Sequence, residues 1–215
     1  QPAFHRRQIE TYARVMVTLT DRHIGAWRTG QSLDFHQQMM QLTMKIVAET
    51  LFGADISSQN EALVRALDSL INDFSFFDAT PLGGLLFRLP APRNRRRTTL
   101  LRTLDTAIYE FIRQEQQRAV PRNTLLSMLL AAHLSEERAL SLAQIRDEVI
   151  TLFIAGHETT ANAIVWTFYL LAQHPQVAAR LQAEVDNLLQ GRLPTVDDAR
   201  RLSYTRMVLS EAMRL

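Results

Sequence analysis

Apolar residues recur every three or four positions over most of the chain, which is the spacing of a helix face and not of a strand. In the first such segment, residues 6–28, the apolar positions are Ile9, Tyr12, Val15, Met16 and Leu19. Residues 33–53 repeat the pattern, and Gly53 stands where a helix would end. Further helices are predicted at about 61–76, 98–118, 124–134 and from 204 onward. No segment alternates with period two, so we predict an almost wholly helical fold.

The clearest helix start opens a segment of about thirty residues. Ser141 and Gln144 fit a capping box, in which each side chain accepts a hydrogen bond from the other residue's backbone N–H. Pro175 follows His174 and ends this helix, because proline cannot continue it. The same proline suits the first turn of the next helix, which is predicted to end at Gly191.

This long segment is apolar on most sides. From Val149 to Ala172 its only formally charged residue is Glu158, and its length would suffice to span a membrane. A carboxylate in mid-bilayer is costly, however, and the neighbouring amphipathic segments have apolar faces that need a partner. We therefore favour a central helix that the other helices bury, with a membrane helix bundle as the alternative.

Residues 80–92 interrupt the helical pattern with three prolines and two glycines. Because the segment is also rich in leucine, we interpret it as an apolar loop and not as a flexible linker. The basic run at 92–97 is interpreted as a solvated turn before a helix, since no fold motif for nucleic-acid binding accompanies it. We predict a single domain over residues 1–215.

Composition narrows the classes of function. With 47% hydrophobic and 21% charged residues, the 215-residue chain is typical of a globular protein. Its 24 basic and 22 acidic residues leave a net charge of +2, too small to indicate a polyanionic partner. The absence of cysteine excludes disulfides, thiolate metal sites and a cysteine nucleophile within the chain.

Neither end of the chain carries a targeting segment or a helix stop, so we expect an interior piece of a longer protein. Localisation stays open. The protein would be cytoplasmic if it is bacterial, and a membrane anchor could lie outside these residues.

The stretch FIAGHETTANAIVW, residues 153–166, does not suit the middle of a buried helix. Gly156 should weaken the helix by about 1 kcal/mol relative to alanine, and Glu158 would be costly to bury unpaired. Ala155 and Thr159 share a face because they lie four residues apart. A flat ligand could approach the backbone there, with Glu158 handling protons. The residues alone leave open a purely structural helix with an accommodating glycine and a capped carboxylate.

The letters AGHETT within a long central helix resemble the oxygen-binding motif of the cytochrome P-450 family, the haem-thiolate monooxygenases. The resemblance implies a mainly α, partial cytochrome P-450 fold with a helical core around that helix. It implies that Ala155 and Gly156 lie over the haem, that Thr159 hydrogen-bonds the bound oxygen molecule or its water, and that Glu158 supplies protons. Thr160 completes the cofactor-binding motif.

A second family motif, E-x-x-R, is matched by Glu211 and Arg214 near the end of the chain. The resemblance gives this pair a structural role in the haem-binding core. The spacing alone is not informative, because it recurs in two pairs that we expect on solvated helix faces: Glu110–Arg113 and Glu115–Arg118.

The resemblance also implies regions of the family fold that this chain does not contain. The family's iron ligand is a cysteine downstream, so we expect the N-terminal sheet region and the cysteine loop to lie outside this chain, which by itself should be inactive and hold no metal. The basic residues that hold a haem propionate would precede Gln1, so His5, Arg6 and Arg7 should not have that role. Apolar residues that would roof the substrate pocket are Phe74, Phe76, Phe77, Leu82, Leu85, Leu86 and Phe87.

For the intact protein the resemblance implies haem b, O2, a hydrophobic organic substrate and electrons from NAD(P)H. The electrons would pass through a ferredoxin or a flavoprotein reductase, and no nucleic-acid partner is expected. The alternative is a non-catalytic helical binding or scaffold module that retains the same fold.

Overall fold

The computed structural model describes residues 6–53, 92–122, 124–134 and 140–215, and all regular structure within them is helical. The mainly α prediction is therefore confirmed. The helices are α1 (Arg6–Gly25), α2 (Phe35–Phe52), α3 (Pro92–Gln116), α4 (Leu125–His133), α5 (Leu142–Gln173), α6 (Pro175–Leu189), α7 (Val196–Arg201) and α8 (Ser203–Arg214).

The long helix α5 begins and ends where the sequence predicts. The backbone N–H of Gln144 donates to Ser141 Oγ at 3.2 Å, and that of Ser141 donates to Gln144 Oε1 at 2.9 Å. These bonds satisfy amides that have no partner inside the helix. The helix stops after 32 residues, and Pro175 begins α6.

Neither α5 nor any other helix in the described part of the chain is long and apolar enough to cross a membrane.

Gly53 ends α2 with a φ of +62°, a conformation that favours glycine. A β-carbon at this position would lie 2.7 Å from Arg122 Nη1 and 3.2 Å from Thr124 Cγ2. The glycine is therefore required both by the backbone turn and by the loop that packs against it.

Two predictions near helix starts were wrong. Helix α3 begins at Pro92, about six residues before the predicted start, because proline's fixed φ suits the first helical position. The basic run thus lies on the helix and not in a turn, with Arg95 and Arg96 exposed. Helix α7 was missed, although Thr195 and Asp198 form a capping box at its start.

Several predictions lie outside the described residues. These are the helix at 61–76, the apolar loop up to residue 91, and His5.

The described chain falls into two compact units, and the prediction of one domain over 1–215 stays a prediction. Leu51–Ile154 form one unit, in which the rings of Phe52 and Phe153 stack with their centroids 5.9 Å apart. Its other fully buried apolar side chains include Ile112, Leu126, Ile145 and Val149.

The other unit joins the residues up to Thr50 with Ala155–Leu215. Its core forms where α2 meets the second half of α5, around Met39, Leu42 and the fully buried Ala161. Apolar side chains of α1, the loop after it, α2 and α5 pack against this cluster: Leu19, Trp27, Phe35, Met40, Ile46, Ile164 and Val165.

The Glu115–Arg118 pair is not on a solvated face, contrary to the prediction. The side chain of Glu115 is 5% exposed, and its carboxylate accepts hydrogen bonds from Arg122 N at 2.9 Å and Ser127 Oγ at 2.5 Å. Glu115 thus fixes the loop between α3 and α4. Glu110 and Arg113 form an ion pair whose side chains are 37% and 65% exposed, in agreement with the prediction.

Removal of the carboxylate should affect stability very differently in these two pairs. Glu115→Ala in the intact protein should lower the free energy of unfolding by about 1–3 kcal/mol, because it removes the acceptor of the Arg122 amide and the Ser127 hydroxyl in a partly buried site. Glu110→Ala, with the same E-x-x-R spacing, should change it by less than about 0.5 kcal/mol. Urea denaturation measures both, and equal losses for the two variants would contradict the structural role of Glu115.

Candidate functional site

The middle of α5 has one buried and one open face. The side chains of His157 and Ala161, four residues apart, are fully buried. Ala155 and Thr159, also four residues apart, are exposed, and Glu158 is half-buried beside them. Of the predicted ligand-binding residues, Ala155 and Thr159 therefore lie on an open face of the described structure, and both have small side chains.

Both threonines of the motif bond back to their own helix. Thr159 Oγ1 donates to the carbonyl oxygen of Ala155 at 2.6 Å, and Thr160 Oγ1 donates to that of Gly156 at 2.8 Å. Each carbonyl is also the acceptor that a regular helix assigns to the amide four residues on. Such bonds weaken and often bend a helix.

The next carbonyl in the series receives a hydroxyl from another helix. Thr43 Oγ1 of α2 lies 3.0 Å from the carbonyl oxygen of His157 and 2.9 Å from that of Met39. Sequence reasoning missed Thr43. The signal was a hydroxyl between two apolar residues, Leu42 and Met44, and all three prove to be buried.

Gly156 allows α2 and α5 to approach closely. A β-carbon on Gly156 would lie 3.1 Å from Val47 Cγ2, tighter than an ordinary van der Waals contact. The side of α5 on which the glycine lacks a side chain is thus filled by Val47. That Gly156 belongs to a cofactor site stays a prediction, and only its backbone atoms could make that contact.

The carboxylate of Glu158 has no hydrogen-bond or ion-pair partner among the residues that the structure describes. If α5 were a purely structural helix, the alternative left open by the sequence, this carboxylate was expected to be capped. A half-buried carboxylate without such a partner can reorient, which a group that carries protons must do.

Ala155 and Thr159 lie four residues apart on the open face of α5, and both are exposed and small, so their chemistry suits contact with a flat group such as haem. The chain has no cysteine, and its described residues contain no cluster of His, Asp and Glu that could hold a metal ion. The residues present can therefore contact a flat group but cannot supply a thiolate ligand to its iron.

The predicted pair Glu211–Arg214 forms in α8. Arg214 Nε donates to Glu211 Oε2 at 2.9 Å, and Arg214 Nη2 donates to Oε1 at 2.6 Å. The arginine lowers the pKa of Glu211. The two side chains are 57% and 67% exposed, so their pairing contributes little to stability within this chain, and their structural role in a haem-binding core stays a prediction.

Helix α8 receives its N-terminal cap from a distant residue. Leu202 provides no side-chain cap, and the carboxylate of Glu184 in α6 accepts the N–H groups of Tyr204 and Thr205 at 2.8 and 2.9 Å. Hydroxyls of Ser203 and Thr205 also donate to it. These bonds, led by the one from Tyr204, lower the pKa of Glu184 to about 2. No local pattern could have shown this cap, because Glu184 lies in another helix.

Comparison with known proteins identifies relatives along the whole chain. A family model described as Cytochrome P450 matches residues 1–215. Cyclooctat-9-en-7-ol 5-monooxygenase of Streptomyces melanosporofaciens is 35% identical over 216 residues, and pentalenene oxygenase of Streptomyces avermitilis is 33% identical over 216. The crystal structure of the cytochrome P450DA heme domain superposes with a TM-score of 0.84 at 29% identity, covering 99% of this chain.

The chain spans about half of each of these relatives. The alignments include the whole of this chain but only 47% and 48% of the two Streptomyces enzymes. In the solved structure the matched part is 47% of that chain.

The Glu184 cap predicts a pH-dependent stability. Because its pKa is lowered from 4.5 to about 2, the stabilisation is complete above the unfolded-state value and is lost as the pH falls through about 2. Glu184→Gln should therefore unfold at lower urea than wild type above about pH 5, and the difference should vanish near pH 2. The exposed Asp186→Asn, two residues on, is the matched control and should not differ from wild type. A difference for Glu184→Gln that is independent of pH would contradict the charge-based cap.

Proposed function

The chain belongs to the cytochrome P450 family, and on that premise we propose that the intact protein is a haem-dependent monooxygenase. The reaction would be R–H + O2 + two electrons + two protons → R–OH + water. The observation that carries the proposal is the open, small-residue face of α5, on which the Thr159 hydroxyl lies beside a carboxylate without a partner among the described residues.

Ala155, Gly156, Thr159 and Thr160 would contact the haem. Ala155 and Thr159 offer small side chains on the open face, and Gly156 would contribute backbone. The bound haem would supply the activation of O2, with its thiolate ligand from sequence outside these 215 residues. A helix with bulky residues on this face could not approach a flat macrocycle so closely.

Thr159 would act as a hydrogen-bond relay at the oxygen site. Its hydroxyl donates to the Ala155 carbonyl at 2.6 Å, which leaves both lone pairs of Oγ1 available to accept a hydrogen bond from water. After rotation toward the oxygen site, the hydroxyl could give up its own proton there in the same step in which it takes one from that water. A threonine can therefore transfer a proton without ionising.

Glu158 would bring protons to this relay. Its carboxylate is half-buried next to Thr159, so it can alternate between water and the site. After each transfer Glu158 would be left as a carboxylate, and it would take up its next proton from solvent.

The substrate would be a hydrophobic, terpene-like molecule. The relatives named for cyclooctat-9-en-7-ol and pentalenene support this class. Electrons would come from NAD(P)H through a ferredoxin or a flavoprotein reductase. Titration of the intact protein with terpene hydrocarbons and with polar analogues, followed by the haem absorbance shift, tests the substrate class.

Thr159→Ala should divert oxygen to hydrogen peroxide while substrate binding survives, because the relay hydroxyl is lost and the fold is not. The share of NAD(P)H electrons recovered as product should fall by about tenfold or more, within the range of one acid–base contribution. Peroxide and product are measured together, and substrate affinity is measured by spectral titration.

Thr167→Ala is the matched control for Thr159→Ala. Thr167 Oγ1 makes the same bond to the carbonyl four residues earlier, that of Ala163 at 2.7 Å, but on a buried face of α5. Its product yield should stay near that of wild type. Unchanged coupling in Thr159→Ala would remove the role proposed for Thr159.

Glu158→Gln should slow the proton-dependent step and leave substrate affinity nearly unchanged, since the amide keeps the shape but carries no transferable acid proton. Turnover should fall by about 10²-fold, the lower end of a general-acid contribution. Turnover in H2O and D2O checks this: the solvent isotope effect should rise above that of wild type. A variant that loses affinity instead of turnover would contradict the role.

A further inference from the structure

We propose that Thr43 of α2 is a positioning residue for the proton relay, because its hydroxyl sets the orientation of the peptide unit that leads into Glu158. This inference rests on the proposed function of Glu158 and Thr159. It concerns a residue outside the AGHETT motif and outside α5.

Thr43 reaches α5 at the carbonyl that directly follows the two occupied by the motif threonines. The carbonyls of Ala155 and Gly156 accept hydroxyls from their own helix, and the next, that of His157, lies 3.0 Å from Thr43 Oγ1. Three successive carbonyls in the middle of α5 thus receive a hydroxyl. Each extra donor competes with the helical amide four residues on, which loosens the ladder at these positions.

The contact acts on Glu158 through rigid geometry. The carbonyl of His157 and the N–H of Glu158 belong to one planar peptide unit, so fixing the oxygen fixes the tilt of the whole plane. The side chains of Thr43 and His157 are 3% and 0% exposed, and water does not compete at these side chains. Thr43 therefore orients the backbone immediately before Glu158 and Thr159.

A second contact one turn along α2 holds the register. Val47 lies four residues after Thr43 on the same face of α2, and its Cγ2 lies 3.1 Å from the position a β-carbon of Gly156 would take. Helix α2 thus contacts two successive residues of α5: Val47 packs against Gly156, and Thr43 hydrogen-bonds the carbonyl of His157.

The hydroxyl of Thr43 can also release the His157 carbonyl at little cost. Oγ1 has one proton and three carbonyl oxygens in reach, those of Met39 at 2.9 Å, His157 at 3.0 Å and Met40 at 3.3 Å. When the proton turns to Met39, no buried donor is left unpaired, so the usual penalty for breaking a buried bond does not arise. The Thr43 hydroxyl therefore orients the peptide unit before Glu158 while its proton points to His157, and it stays paired when the proton points to Met39.

The test uses Thr43→Val, which removes the hydroxyl at similar shape, and Thr43→Ser, which keeps it, in the intact haem-loaded protein. Hydrogen exchange followed by mass spectrometry reports the amides of Thr159, Thr160 and Ala161. We expect exchange of the Ala161 amide, the helical donor to the His157 carbonyl, to slow by about fivefold in Thr43→Val, the factor for one net hydrogen bond, because that amide no longer shares its acceptor with a second donor. Peroxide formation should rise in the same variant.

Thr43→Ser should return both measurements to the wild-type values. Thr50→Val is the matched control, because Thr50 is also buried on α2 but its hydroxyl bonds only to carbonyls of α2, those of Ile46 and Val47. It should leave exchange at 159–161 unchanged. Faster exchange in Thr43→Val, or equal effects of the Val and Ser variants, would reduce Thr43 to a packing residue and overturn the proposal.

Thr159→Ala, measured alongside, separates the two proposals. If Thr159→Ala uncouples the reaction and Thr43→Val changes neither exchange nor peroxide, only the positioning role of Thr43 fails. If Thr159→Ala leaves coupling intact, the proposed relay itself fails, and the exchange data still decide whether Thr43 orients the segment.

Discussion

Competition for backbone carbonyls in the middle of α5 is the constraint on which the candidate site depends. A regular helix needs the carbonyls of Ala155, Gly156 and His157 for its own amides, yet each has a hydroxyl within hydrogen-bond distance. The segment stays helical because α2 packs against it and buries His157 completely. Local weakness and tertiary support thus occur at the same place, which is how a helix can be loosened at a site without unfolding.

Carboxylates hold the surrounding scaffold together by capping backbone groups. Glu115 fixes the loop after α3, Glu184 caps α8, and Asp198 caps its own helix α7 while it pairs with Arg192. In each case the negative charge accepts N–H groups that have no partner inside a helix, and charge-assisted bonds are stronger than neutral ones. The helix that carries the E-x-x-R motif therefore depends on an acid in helix α6 for its first turn.

The E-x-x-R spacing illustrates how one pattern serves different purposes. All three pairs place a carboxylate and a guanidinium on one helix face, as the geometry of a helix requires. Glu110 and Glu211 are exposed, whereas Glu115 is buried and accepts hydrogen bonds from a backbone amide of the following loop and a hydroxyl of α4. The difference arises from what packs over each pair, and the four residues of the motif contain no information about that.

The sequence by itself determined most of the described helices, many of their ends and the shared face of Ala155 and Thr159, because periodicity, capping residues and proline act through neighbours in the chain. It also predicted Glu158 and Thr159 as candidate site residues, since a polar cluster in an apolar helix is visible in the local sequence. Only the tertiary structure decided that Gly156 is filled by Val47, that Thr43 reaches the carbonyl of His157, and that Glu184 caps α8. Those partners are separated by about 20 to 114 residues, and their meeting depends on how helices pack, which no local pattern encodes.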